Sequence, residues 1–121
     1  MASLREALSR LLVIPGVRAT ALAGREGLLI ETAGRADHRL FEALAALGAS
    51  LLSSADALGQ EVSAGATVAG ILEYDGALVS IDPAGEFAIV VTLAENAASL
   101  ARVRHTLASG QDELLRLLDL R

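Results

Sequence analysis

The chain has no cysteine, no lysine and no tryptophan, only two prolines, and just three aromatic residues, Phe41, Tyr74 and Phe87. The missing cysteine removes disulfides, thiolate chemistry and thiol-rich metal sites. Without lysine there is neither a phosphate-loop lysine nor a Schiff-base nucleophile. Positive charge is scarce altogether, since ten arginines stand against fifteen acids for a net charge of −5. Those arginines are scattered among acids, so the basic stripe that displaces counterions from nucleic acid is absent. Arg102 and Arg104, the nearest approach to a cluster, read as solvated positions on a helix. There is no run of about 18 uninterrupted apolar residues to span a bilayer. Arg5, Glu6 and Arg10 interrupt Met1–Pro15, where a signal peptide would need an apolar stretch. The expectation is a cytoplasmic protein with no membrane insertion and no nucleic-acid partner.

What is present is aliphatic. At 121 residues the chain fits a single domain, residues 1–121, able to bury roughly two thirds of its unfolded surface. Its 53% hydrophobic content is mostly 24 alanines and 23 leucines. A core filled with such groups favours closely approaching helices.

Ser3-Leu4-Arg5-Glu6 has the spacing of a capping box. Leu4, Leu8, Leu11 and Leu12 follow on one helical stripe, which Pro15-Gly16 stops. Val17–Ala23 and Leu28–Thr32 read as strands joined by the loop Gly24-Arg25-Glu26-Gly27. Asp37 is placed to cap a long helix to about Leu58, with Gly59 ending it. Three further strands, Val68–Tyr74, Ala77–Ile81 and Phe87–Leu93, form an antiparallel meander. Its first turn is Asp75-Gly76, expected to supply positive φ, and its second is Asp82-Pro83-Ala84-Gly85. A last helix starts at Asn96 and keeps helical spacing through Leu100, Val103, Leu107, Leu114 and Leu117, with Gly110 as a point of bending. The element order is α-β-β-α-β-β-β-α.

The central helix is the unusual element. Leu40, Phe41, Leu44, Leu47, Leu51, Leu52 and Leu58 are expected to form its core stripe. Alanine, glycine and serine fill much of the remainder, and no charge occurs between Glu42 and Asp56. A solvated helical face normally carries lysine, arginine or glutamate, so this smooth face suggests that a further surface lies against it.

Chemistry is not signalled. His38 and His105 each stand alone, without the i+4 partner that builds a helical zinc site. No Gly-x-Ser-x-Gly elbow occurs, and neither histidine has an evident serine and acid partner. Asp75 and Asp82 read as turn residues and Glu73 as the outward position of a half-exposed strand. No catalytic residue, metal or cofactor is expected.

The order of elements, with Ile14-Pro15-Gly16-Val17 after the first helix, the turn ending at Gly27, the small-residue central helix, Glu73-Tyr74-Asp75-Gly76, and Asn96 with Val103-Arg104 in the last helix, resembles the roadblock/dynein-light-chain family over essentially the whole chain. One departure is the opening of the last helix. The family often has an Asn-Leu-Gly type of sequence there, where this chain has Asn96-Ala97-Ala98-Ser99-Leu100. The resemblance implies an α+β fold: a five-stranded antiparallel sheet with helices on both faces, two in one layer and the central helix on the other. It also implies a homodimer in which central helices pack antiparallel and third strands pair, acting beside a small Ras-like GTPase whose nucleotide cycle it modulates. The residues expected at the dimer or GTPase interface are Leu44, Ala45, Ala46, Gly48, Ala49, Leu52 and Ser53 of the central helix. Val68, Gly70 and Leu72 are expected on the pairing edge strand. An arginine at Gly48 is expected to block association. Arg35 and Arg39, beside the start of the central helix, are the candidates for a guanidinium inserted into a partner's site. A structural scaffold without effect on nucleotide turnover, and a small-molecule sensor domain of similar topology, are the other readings.

Overall fold

The computed structural model describes residues 2–120. Its first helix, α1 (Leu4–Leu12), begins where the Ser3 hydroxyl accepts from the Glu6 amide at 3.2 Å. The chain then reverses through Pro15 and Gly16, the latter with a φ of +93°. A side chain at Gly16 would collide with Ser99 Oγ. Strands β1 (Val17–Gly24) and β2 (Leu29–Gly34) form the first hairpin, followed by the long helix α2 (His38–Glu61), the meander β3 (Gly70–Glu73), β4 (Leu78–Ala84) and β5 (Ala88–Ala94), and helices α3 (Ala97–Ser109) and α4 (Gln111–Asp119). The five strands make one antiparallel sheet in the order β2-β1-β5-β4-β3. The two hairpins are thus joined through the central β1–β5 pair, and β3 is left on a free edge.

Alternation along the strands sends residues to two separate cores. On one face Ala19, Ala21 and Ala23 of β1, with Ile81, Ile89 and Val91, receive Phe41, Leu44, Ala45, Ala49 and Leu52 of α2. The opposite face, with Leu22, Ala84, Ala88 and Val90, is covered by Leu8 and Leu11 of α1, Val103 of α3 and Leu114 of α4. α2 is long and apolar enough to cross a bilayer by length and composition, but in this fold one side of it lies on the sheet.

Several expected boundaries move, each for a local reason. α2 runs past Gly59 to Glu61, and the reversal falls at Ser63 (φ 56°) and Gly65 (φ 90°). Gly59 makes room for that reversal, because a Cβ there would strike the Gly65 carbonyl. The expected last helix is two: Gly110 ends α3, its amide donating to the Thr106 carbonyl at 3.0 Å, and α4 starts afresh. Arg10 fastens α4 to α1 through both oxygens of Glu113, at 3.0 and 3.5 Å. The β3–β4 turn spans 74–77 and closes through Tyr74 N–H to Ala77 O at 2.8 Å. Neither Asp75 nor Gly76 takes the positive φ expected of them. Asp82 and Pro83 are not turn residues but the end of β4, paired with Val90 and Ile89. β3 pairs only as far as Ile81, so Pro83, with no N–H to give, sits where β4 has become an edge.

Candidate functional site

The candidate site is the surface that α2 and β3 leave uncovered together. Leu44, Ala45, Gly48, Ala49 and Leu52, expected at an interface, turn instead onto the sheet and are buried. Gly48 is there for closeness, since a Cβ at this position would come within 2.6 Å of Val91 Cγ2. Ala46 and Ser53 remain exposed. The reverse holds for three leucines expected in the core: Leu47 is 64% exposed, Leu51 42% and Leu58 63%. Helical rotation explains the exchange. Phe41, Leu44, Ala45, Gly48, Ala49 and Leu52 lie within one arc of the helix, and Leu47, Leu51 and Leu58 lie beside that arc, on its flank.

With half-buried Leu40, these leucines form a seam with spacings of seven, four and seven residues, the near-3.5 repeat by which one helix packs along another. The seam is continuous with the edge strand. A groove of about 200 Å3 lies between Leu47 and Leu51 of α2 and Leu72, Tyr74 and Val79 of the sheet. A second of about 170 Å3 runs on past Leu51 and Ala55 to Gly70, Ile71 and Leu72. Ile71 and Tyr74 are each more than half exposed. Of the residues expected on the edge, Gly70 and Leu72 are in β3 and half-buried. Val68 precedes the strand and is 78% exposed.

The backbone of β3 meets β4 on one side only. A free outer edge four residues long beside an apolar seam is a template for another strand, with neither lysine nor proline in β3 to discourage it. Charge stays at the ends of the seam. At its start His38 Nε2 pairs with Glu42 Oε1 at 2.5 Å, and Arg35 and Arg39 are exposed. At its far end Asp56 accepts from the Thr67 amide at 2.9 Å through Oδ1 and from Arg25 at 3.2 Å through Oδ2. Arg25 also donates to the Gly85 carbonyl at 3.3 Å. The Thr67 hydrogen bonds hold the Asp56 carboxyl below its ordinary range, helped by Arg25. This clasp ties α2 to the segment entering β3 and so fixes the edge against the seam. Sequence reading missed it, and the only trace is that Asp56 ends the uncharged stretch. Among the described residues no group of three or more histidine and acidic side chains is gathered to hold a metal.

The match to known proteins runs along the same framework. The family model described as Roadblock/LC7 domain matches residues 4–94, from α1 through β5. Among solved structures, Myxococcus xanthus MglB superimposes with a TM-score of 0.84 at 20% identity, covering 98% of this chain and 96% of that one. A Roadblock/LC7 domain from Streptomyces avermitilis gives 0.81 at 23% identity, covering 94% and 99%. The gliding protein MglB from Thermus thermophilus gives 0.82 at 21% identity, covering 96% and 88%. Comparison with curated proteins by sequence finds no match. With the family model spanning both hairpins and α2, the chain belongs to the Roadblock/LC7 domain family.

Proposed function

We propose that this chain is a non-enzymatic adaptor that dimerises through the α2 seam and the β3 edge, and that the dimer binds a small Ras-like GTPase and modulates its nucleotide cycle. The observation that carries the reading is the continuity of Leu47 and Leu51 with Leu72 and Tyr74 around one groove. A single two-fold axis beside β3 would pair the two free edges and lay the two seams together, satisfying both liabilities in one isologous contact. Joined sheets with α2 helices side by side would present one broad platform to a partner, and nucleotide state would be read as a difference in affinity for the partner's two conformations. The MglB structures of the same fold support this reading by kinship.

The experiment is light scattering of the purified chain, alone and with Ras-like GTPases of its own source loaded with GDP or a non-hydrolysable GTP analogue. Two copies bound to one GTPase in one nucleotide state is the expected result. A dimer indifferent to every GTPase would make the protein a scaffold. A monomer at all concentrations would overturn the interface.

A further inference from the structure

Away from that surface, the face covered by α1, α3 and α4 carries a polar row in an otherwise aliphatic core. Thr20, Thr92 and Ser80 lie side by side on β1, β5 and β4. None is more than 1% exposed, and Thr20 and Thr92 share a hydrogen bond of 3.2 Å. Two residues along β4 the same face carries Asp82, 8% exposed. Among the described residues neither Ser80 Oγ nor Asp82 Oδ2 has a hydrogen-bond partner. A buried carboxylate oxygen without a partner is costly and calls for explanation. Burial pushes the Asp82 carboxyl up, opposed by nearby Ser80 and by the charge of Arg104.

Asp82 lines a cavity of about 170 Å3 between the end of β4 and the junction of α3 with α4. Val68, Ala84, Val90, Leu107 and Leu114 supply aliphatic walls, and the exposed Arg104 stands at its rim. The cavity therefore combines an anion among its buried groups, an apolar body and a cation at the mouth. We propose that it binds a small aliphatic amino acid, the ammonium group on Asp82, the side chain against the walls and the carboxylate on Arg104.

Each part of that ligand answers a feature of the cavity. An ammonium group supplies a charge-assisted donor to the exposed edge of a largely buried carboxylate, and a guanidinium matches a carboxylate. A plain amine would gain Asp82 but meet Arg104 unscreened, and a plain carboxylic acid would meet Asp82. The volume lies below the usual range of about 300–1,000 Å3 for larger ligands, which limits the occupant to a molecule the size of leucine or smaller. The proposal does not rest on dimerisation, because no residue of the α2 seam or of β3 lines the cavity, and of its walls only Val68, just before β3, adjoins the proposed dimer edge.

The test is titration of the 15N-labelled full chain with leucine, with isopentylamine, which lacks the carboxylate, and with isocaproate, which lacks the amine. Leucine should shift the amides of Ala84, Val90 and Leu107 saturably, with a Kd on the order of 1 mM for so few atoms. Both analogues should bind at least roughly tenfold more weakly, each having lost one charged contact. Asp82→Asn keeps the shape and should lose leucine binding. Arg104→Gln should weaken leucine about tenfold, the scale of one lost charged contact, and leave isopentylamine no weaker. The amide spectrum reports folding of each variant, and Arg104, being exposed, decides the question alone if Asp82→Asn does not fold. Absence of saturable shifts with leucine, and with alanine and valine titrated in the same way, undiminished leucine binding by both variants, or isocaproate binding as tightly as leucine would overturn the proposal. The readout is local and the same in a monomer or a dimer, so its failure is separate from failure of the adaptor reading.

Discussion

Arginine in place of Leu47 should prevent the proposed dimer from forming while leaving the fold intact. Leu47 is 64% exposed in one copy, so most of its side chain is still in water and available to be buried by a partner. Burying a whole leucine is worth about 1.5–3 kcal/mol, and the exposed part of this one about 1–2 kcal/mol. An isologous contact uses the position twice. The substitution therefore removes about 2–4 kcal/mol of association, roughly 30- to 1,000-fold in Kd, before two guanidinium groups are desolvated. Stability of the monomer should change by no more than about 0.5 kcal/mol, because the site is a surface position within one copy. Light scattering across a dilution series measures the first effect, and thermal unfolding at concentrations below dissociation measures the second.

Gly48→Ala is the complementary perturbation on the sheet-facing side of the same helix. Its Cβ would approach Val91 Cγ2 to 2.6 Å. Val91 is 1% exposed and β-branched, so it has little rotamer freedom with which to yield. Replacing a helical glycine by alanine gains about 1 kcal/mol, and overpacking costs about 1–3 kcal/mol. The net is a loss of up to about 2 kcal/mol in folding stability, with dimerisation of the folded fraction unchanged. Gly48→Arg, attractive from sequence as a block to association, would act by disrupting the core and so cannot report on the interface. The reasoning is refuted if Leu47→Arg keeps the wild-type mass at every dilution, or if Gly48→Ala dissociates the dimer without lowering the melting temperature.

Asp82→Asn should stabilise the protein at neutral pH. The raised carboxyl means that ionisation penalises the folded state: the penalty is absent below the unfolded pKa and complete above the folded one. The variant's advantage in melting temperature should accordingly shrink as pH falls through the carboxylate range, and an advantage that grows on acidification would contradict this. Asp56→Asn should have the opposite profile, since its lowered carboxyl contributes stability present above the unfolded pKa and lost as pH falls through the folded one. Chemical denaturation of wild type and variant at neutral and acidic pH, with the difference disappearing at the acid end, is the check. Gly34→Ala should destabilise by about 2–4 kcal/mol, through positive φ and overpacking together. Gly34 has a φ of +113°, and a Cβ would meet backbone, Arg18 O at 2.5 Å and Ala19 Cα at 2.8 Å. Urea unfolding with an unchanged midpoint would show that the β1–β2 register slips at little cost.

Element order was legible in the sequence because each break carries its own chemistry. Ser3, Asp37 and Asn96 all cap the helices they were expected to cap. Of the loop expected from Gly24 to Gly27, Arg25, Glu26 and Gly27 fall between the two strands it was expected to join, and Gly24 ends β1. Boundaries failed where long-range contacts decide them. Asp82-Pro83 has turn composition, yet pairing with β5 carries both residues into the strand. Gly59 has the composition of a helix end, and its actual use is to let Gly65 pass close by. The buried state of Asp82 was equally invisible, since it depends on α3 and α4 closing over the end of β4.

The orientation of α2 is the instructive failure, because it turns on what a small residue means. An uncharged helix containing both leucines and a run of alanine, glycine and serine offers two apolar faces, and periodicity alone does not say which meets the core. The expectation placed leucines inward because they bury more area, and left the small residues for a second copy. Packing geometry decides otherwise. The face of the sheet beneath α2 is itself built on Ala19, Ala21 and Ala23, so helix and strands can come close only if the helix also presents small groups there. Ala45, Gly48 and Ala49 do so, and Gly48 leaves no space even for a methyl group beside Val91. Once that side is fixed, rotation along the helix leaves Leu47, Leu51 and Leu58 outside. Small residues thus report the distance of an approach and not the identity of the approaching surface. What points to a partner is the leucines that the protein's own core had no room to take, set beside a strand edge that its own sheet does not pair.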